Sequence, residues 1–147
     1  MIEENQKTEI LIGRAFAKQV IPLIENAKKS IDIIVYNWLW YPNEIGSGIQ
    51  NFNHALVTAN RGSVEVKAVV QKTLIAEILR REGIKVRKIE SGRVLHTKLM
   101  IVDDEIAILG SHNYTMNAFN INYEVSVIIH DQEIVLNLKN YFKNFFY

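Results

Sequence analysis

Cysteine is absent from this 147-residue chain, which excludes disulfide bonds and thiolate metal sites outright. No apolar run approaches the roughly 18 residues that a membrane-spanning helix needs. The opening stretch Met1–Lys7 is polar and acidic with no apolar segment behind it, so no secretory leader is expected. Net charge is also scarce, at +1. What is present is ordinary: 48% apolar and 22% charged residues describe a globular chain and argue against disorder. These features predict a single domain over residues 1–147, cytoplasmic and without stable membrane association.

The small net charge hides an uneven spread. Residues 1–60 hold five Lys/Arg against six Asp/Glu, residues 61–100 hold ten against four, and residues 101–147 hold two against six. A basic middle segment attracts phosphate-rich polymers, and it also suits a solvated helix-and-loop face.

Hydrophobic spacing organises the chain. Strands are expected at Thr8–Ile12, Ile31–Trp38, Val64–Val70 and Ile84–Ile89. Helices are expected between them at Arg14–Lys29, broken or kinked at Pro22, at Ile49–Asn60, and at Thr73–Glu82 with Gly83 as its terminator. Tyr41–Gly48 reads as a loop. Beyond this alternation the pattern changes. Val94–Val102 and Ile106–Leu109 read as strands joined by a tight turn at Asp103-Asp104-Glu105. Tyr123–Ile129 is a further strand, and Gln132–Phe146 a terminal helix. The order predicts an α/β fold, with a mixed, mostly parallel sheet flanked by helices on both faces.

Chemistry concentrates in Val94–Asn113. His96 and Lys98 stand two apart on a predicted strand, so their side chains project from one face. Ser111 and Asn113 repeat that spacing if Gly110 leads out of the next strand in extended form. One face then presents a nucleophile, a cation and two hydrogen-bonding groups, the parts needed to attack a phosphodiester without a metal. His54 and His130 have no such context and read as structural. His112 lies between two site residues, where substrate contact and plain solvent exposure both fit. Tyr36, Trp38 and Trp40 share one strand face, and either stack on bases or join the core. The four histidines and the Asp103-Asp104-Glu105 turn show no metal-ligand spacing, so neither metal nor cofactor is expected.

The string His96-x-Lys98-x4-Asp103-x6-Gly110-Ser111-x-Asn113 resembles the HKD signature of the phospholipase D superfamily. Asn122-Tyr123-Glu124 resembles that family's Asn-x-Glu, and Ala27-Lys28-Lys29-Ser30-Ile31-Asp32-Ile33 its usual opening. The resemblance implies a phosphohistidine mechanism. His96 would be the nucleophile or its partner acid, and Lys98, Ser111 and Asn113 would hold phosphate oxygens. Glu124 would accept the second imidazole N–H of the histidine. Asp103 is expected at the strand turn in a structural role.

The mechanism wants two histidines, one to attack and one to protonate the leaving oxygen. The sequence carries one signature, which implies a homodimer with its two-fold axis through the site. A nuclease acting on DNA or RNA is the leading expectation. A phospholipid hydrolase of the cardiolipin-cleaving kind is the second, and a non-catalytic nucleic-acid-binding module the third.

Overall fold

The computed structural model describes residues 8–147, so the reading of Met1–Lys7 falls outside it. Seven strands and five helices follow one another as β1 (Glu9–Ile12), α1 (Ala15–Glu25), β2 (Ser30–Val35), α2 (Gly48–Arg61), β3 (Glu65–Val70), α3 (Thr73–Arg81), β4 (Lys85–Lys88), β5 (Lys98–Val102), β6 (Ile106–Gly110), α4 (Met116–Asn120), β7 (Val125–Ile129) and α5 (Gln132–Phe146). The strands form one sheet in the order β1-β7-β6-β5-β2-β3-β4.

The sheet is mixed, as expected, but its balance differs from the expectation. Parallel pairing is confined to β2-β3-β4, and the other four ladders are antiparallel. A parallel neighbour needs a long crossover, usually a helix. Helices α2 and α3 provide those crossovers, whereas β4 returns to β5 through a helix-free connection and α4 links the antiparallel β6 and β7.

Alternation along the strands makes two cores. Ile31, Ile33, Val35, Val66, Ala68, Met100 and Val102 face α1–α4, while Ile34, Val69, Leu99 and Ile101 face α5. Helix α1 ends at Glu25, earlier than the sequence pattern suggests, and runs past Pro22. Helix α4 was not legible as a helix. Thr115 starts it by accepting the Ala118 N–H at 3.1 Å.

Asp32, fully buried on the α5 side, accepts from Lys139 at 2.5 Å and lies 3.7 Å from Lys67. Burial alone would lower both ammonium pKa values. The hydroxyl of Tyr147 beside Lys67 and the carboxylates around both lysines more than offset it, and both are raised.

The β5–β6 turn positions the signature. Asp103 and Asp104 both adopt positive φ, at 56° and 58°, and Glu105 N–H closes the turn on Val102 at 3.0 Å. That is the mirror-image geometry that matches strand twist. The Asp103 carboxylate accepts the backbone N–H groups of Lys28, Lys29 and Ser30 at 2.6 to 3.1 Å. It thus clamps the start of β2 to the end of β5. Burial alone would raise its pKa, but those N–H groups more than offset this and hold it below the ordinary carboxylate value.

Asp103→Asn tolerates the same backbone but removes the charge. Stability should fall by about 1–2 kcal/mol at neutral pH, read from urea unfolding. The deficit should be full above the ordinary aspartate pKa. It should fade as pH falls through the depressed folded-state value, where the wild-type carboxylate is itself protonated. Equal unfolding midpoints at neutral pH would remove Asp103 from this role.

Candidate active site

The site forms where β5 begins and β6 ends, beside the C-terminal end of β2. The expected strand over Val94–Val102 begins only at Lys98, which pairs with Val35, the last residue of β2. Residues 94–97 therefore have no neighbouring strand. Gln71 holds them instead, accepting Leu95 N–H at 2.9 Å and donating to the Arg93 carbonyl at 2.8 Å. His96 stands on this unpaired approach, exposed. The same limit frees Tyr36, Trp38 and Trp40 from a common strand face. Trp38 is buried and donates to Asn53 at 2.8 Å, Trp40 packs beside it, and Tyr36 alone reaches the site.

His96, Lys98 and Ser111 line one open cavity of about 400 Å³, walled by Leu99, Leu109, Leu138 and Tyr141. A second cavity of about 170 Å³, with Ser91, Arg93 and Val94 on its wall, adjoins it across His96 and Tyr141. Lys98 Nζ lies 3.1 and 3.3 Å from the two ring nitrogens of His96. Burial lowers the Lys98 pKa, and the charge of Glu124 opposes that without cancelling it. The ammonium thus lies close to both ring nitrogens at once and covers the imidazole.

Ser111 donates from Oγ to Glu124 at 2.5 Å and accepts the Val125 N–H at 3.0 Å. The other Glu124 oxygen accepts from Asn122 at 3.1 Å. Within one chain, therefore, Glu124 orients Ser111 rather than His96, unlike the expected brace. Asn113 accepts the Asn37 N–H at 3.1 Å, which leaves its amide N–H₂ to donate elsewhere. Tyr36, Asn37 and Lys72 join these residues although sequence reasoning did not place them together. The His96 and Tyr36 rings are 5.0 Å apart, and Lys72 Nζ bonds Asn37 Oδ1 at 3.0 Å.

His112 takes no part. It is buried, stacked on Phe16 at 4.5 Å, with Nε2 2.9 Å from the Gly13 carbonyl and Nδ1 2.8 Å from Ser126 Oγ. Nε2–H must donate to a carbonyl, so Nδ1 accepts the serine proton and the ring is a neutral tautomer. Burial lowers its pKa accordingly. His54 hydrogen-bonds Thr58, and His130 pairs with Glu9, both away from the site. Among the described residues, no three His, Asp or Glu side chains converge as metal ligands, and no helix is long and apolar enough to cross a membrane.

A fold with a mixed sheet between helices, presenting His96, Lys98, Ser111 and Asn113 at its strand ends, defines a phospholipase D-like domain. Residues 20–146 match the family described as "Cardiolipin synthase, PLD-like domain", and the chain belongs to this family within the phospholipase D superfamily. It is similar to the probable cardiolipin synthase YwiE of Bacillus subtilis, 31% identical over 82% of this chain and 25% of that protein. A cardiolipin synthase of Staphylococcus aureus is 42% identical over 41% of this chain and 12% of its own length. The chain thus spans about a quarter or less of these curated relatives. Two solved structures share the fold across almost the whole of both chains, each covering 95% of this chain and 94% of its own. They are Nuc of Salmonella typhimurium, a phospholipase D family member (TM-score 0.78), and NucT of Helicobacter pylori (TM-score 0.76), each at 23% identity.

Proposed function

We propose that this chain is a metal-independent phosphodiesterase that cuts a DNA or RNA strand through a phosphohistidine, in a site shared by two copies. One observation carries the reading: two adjoining cavities share His96 and Tyr141 as lining, the first with Lys98 and Ser111 and the second with Arg93. Space on both sides of His96 suits a strand that continues on both sides of the reacting phosphate.

The chemistry follows from the groups present. A His96 ring nitrogen attacks phosphorus while the bond to the leaving oxygen breaks, and Lys98, Ser111 and Asn113 hold the non-bridging oxygens. The leaving oxygen takes a proton from a second imidazole. Water then attacks the phosphohistidine, gives that proton back, and releases His96.

The second imidazole is the partner chain's copy of the same histidine, since His112 is sequestered. The rim of the site supports such pairing. Ile10, Ile12 and Val125 are exposed on adjacent strands, with Ile12 directly opposite Val125. Exposed Tyr123 flanks Glu124. An apolar strip beside the site is what a two-fold partner would cover.

The second reading is a cardiolipin-type phospholipid as substrate. It draws on the apolar cavity wall of Leu99, Leu109 and Leu138 and on the similarity to cardiolipin synthases. Labelled DNA and RNA oligonucleotides and fluorescent cardiolipin, each incubated in excess EDTA with wild type and His96→Asn, separate these readings. Oligonucleotide cleavage should survive EDTA and vanish in the variant. Activity lost in chelator and restored by Mg²⁺ would overturn the phosphohistidine route. Lipid turnover alone would install the second reading, and strand binding without cleavage would leave a binding module.

A further inference from the structure

Lys72 lies outside the signature, on the exposed link between β3 and α3. Its ammonium is nonetheless held in place. Nζ bonds the Asn37 side-chain oxygen at 3.0 Å and sits 4.7 Å from the centre of the Tyr36 ring. The same ring has Lys98 Nζ at 5.6 Å and the His96 ring at 5.0 Å. Asn37 is in turn fixed by Asn113. One aromatic ring and one asparagine thus join Lys72 to three signature residues.

Its charge is also uncompensated. Among the described residues, Arg61, Lys85 and Lys88 of the basic segment each pair with a glutamate, whereas Lys72 makes no ion pair. An amide oxygen and a π face are neutral acceptors. They position the ammonium without neutralising it. Lys98, near the same ring, serves the reacting phosphate under the reading above. A fixed, solvent-facing cation beside it offers a seat for a second anion, and in a nucleic-acid strand the next phosphate is one sugar away.

We propose that Lys72 holds the phosphate adjacent to the scissile one, so that the site favours a run of phosphodiesters over an isolated one. This rests on the nucleic-acid reading above and makes Lys72 a specificity-determining residue. A phosphate-bound lysine strengthens binding at every sequence and steepens its salt dependence.

The test compares wild type, Lys72→Met and Lys72→Arg. Anisotropy of a labelled single-stranded ten-mer is followed across salt concentrations. The methionine variant should lose about tenfold in affinity, and its slope against log salt should flatten by about 0.7. The arginine variant should recover most of both. In parallel, kcat/KM is measured on that oligonucleotide and on bis(p-nitrophenyl) phosphate, which has a single diester. The ratio of the two should fall about tenfold in the methionine variant, by the same lost contact. An unchanged slope, equal losses on both substrates, or a loss of affinity confined to cardiolipin vesicles would overturn the assignment. If wild type cut neither substrate, the phosphodiesterase reading would fail instead, while the salt slope would still decide Lys72.

Discussion

Mixing wild-type and His96→Ala chains in equal amounts, unfolding them together and refolding to random pairing should leave about one quarter of the all-wild-type activity. The two His96 side chains play different parts in one cycle, the first attacking and the second protonating, so a dimer with one alanine lacks a required group. Only pairs that are wild type on both sides remain active. Two independent sites would instead leave about half. A measured half, or an active species that light scattering shows to be a monomer, would defeat the shared-site model. The buried, hydrogen-bonded state of His112 sharpens the test, because no other histidine of the described chain stands ready to supply the proton.

Gly110→Ala should be among the most damaging single substitutions in the chain. Gly110 pairs with Ser126 across β6 and β7. A Cβ built at Gly110 would fall 2.6 Å from the Ser126 Cβ and closer still to its Cα and Oγ. The obstacle includes backbone, so no rotamer relieves it. Separating the strands would also pull Ser126 from the His112 ring and move Ser111, the next residue, away from Glu124. We expect about 3 kcal/mol of lost stability or more, with a fall in Tm of roughly 10 °C. Thermal unfolding by circular dichroism measures it directly. A Tm within a degree of wild type would show that the strands part more easily than their register indicates. The signature glycine is thus explained by packing: it admits β7 at close range, and chemistry is not what requires it.

Much of the site was legible without coordinates. The closeness of His96 and Lys98 in the chain, and the two aspartates at the hairpin turn, are local properties. Turn chemistry decides the latter within a few residues of chain. The helices α2, α3 and α5 were legible for the same reason, since apolar periodicity is written within each element. The assignment of Asp103 to a structural turn follows from locality too, although its partners Lys28, Lys29 and Ser30 lie more than seventy residues away.

Sheet order decided the rest. Which strands become neighbours depends on long-range packing, so the predominance of antiparallel pairing was hidden behind an alternating βα pattern. Strand ends follow from neighbours as well: β5 starts at Lys98 because β2 stops at Val35, and this puts His96 on unpaired chain. Burial of His112 required α1 to bring Phe16 and the Gly13 carbonyl to it, and the partner of Glu124 was settled by the β6–β7 register. Tyr36, Lys72 and His96 are separated by dozens of residues, and no spacing rule links them. They meet because β2 and β3 finish, and β5 begins, at one end of the sheet, where the fold gathers charges that the sequence leaves scattered.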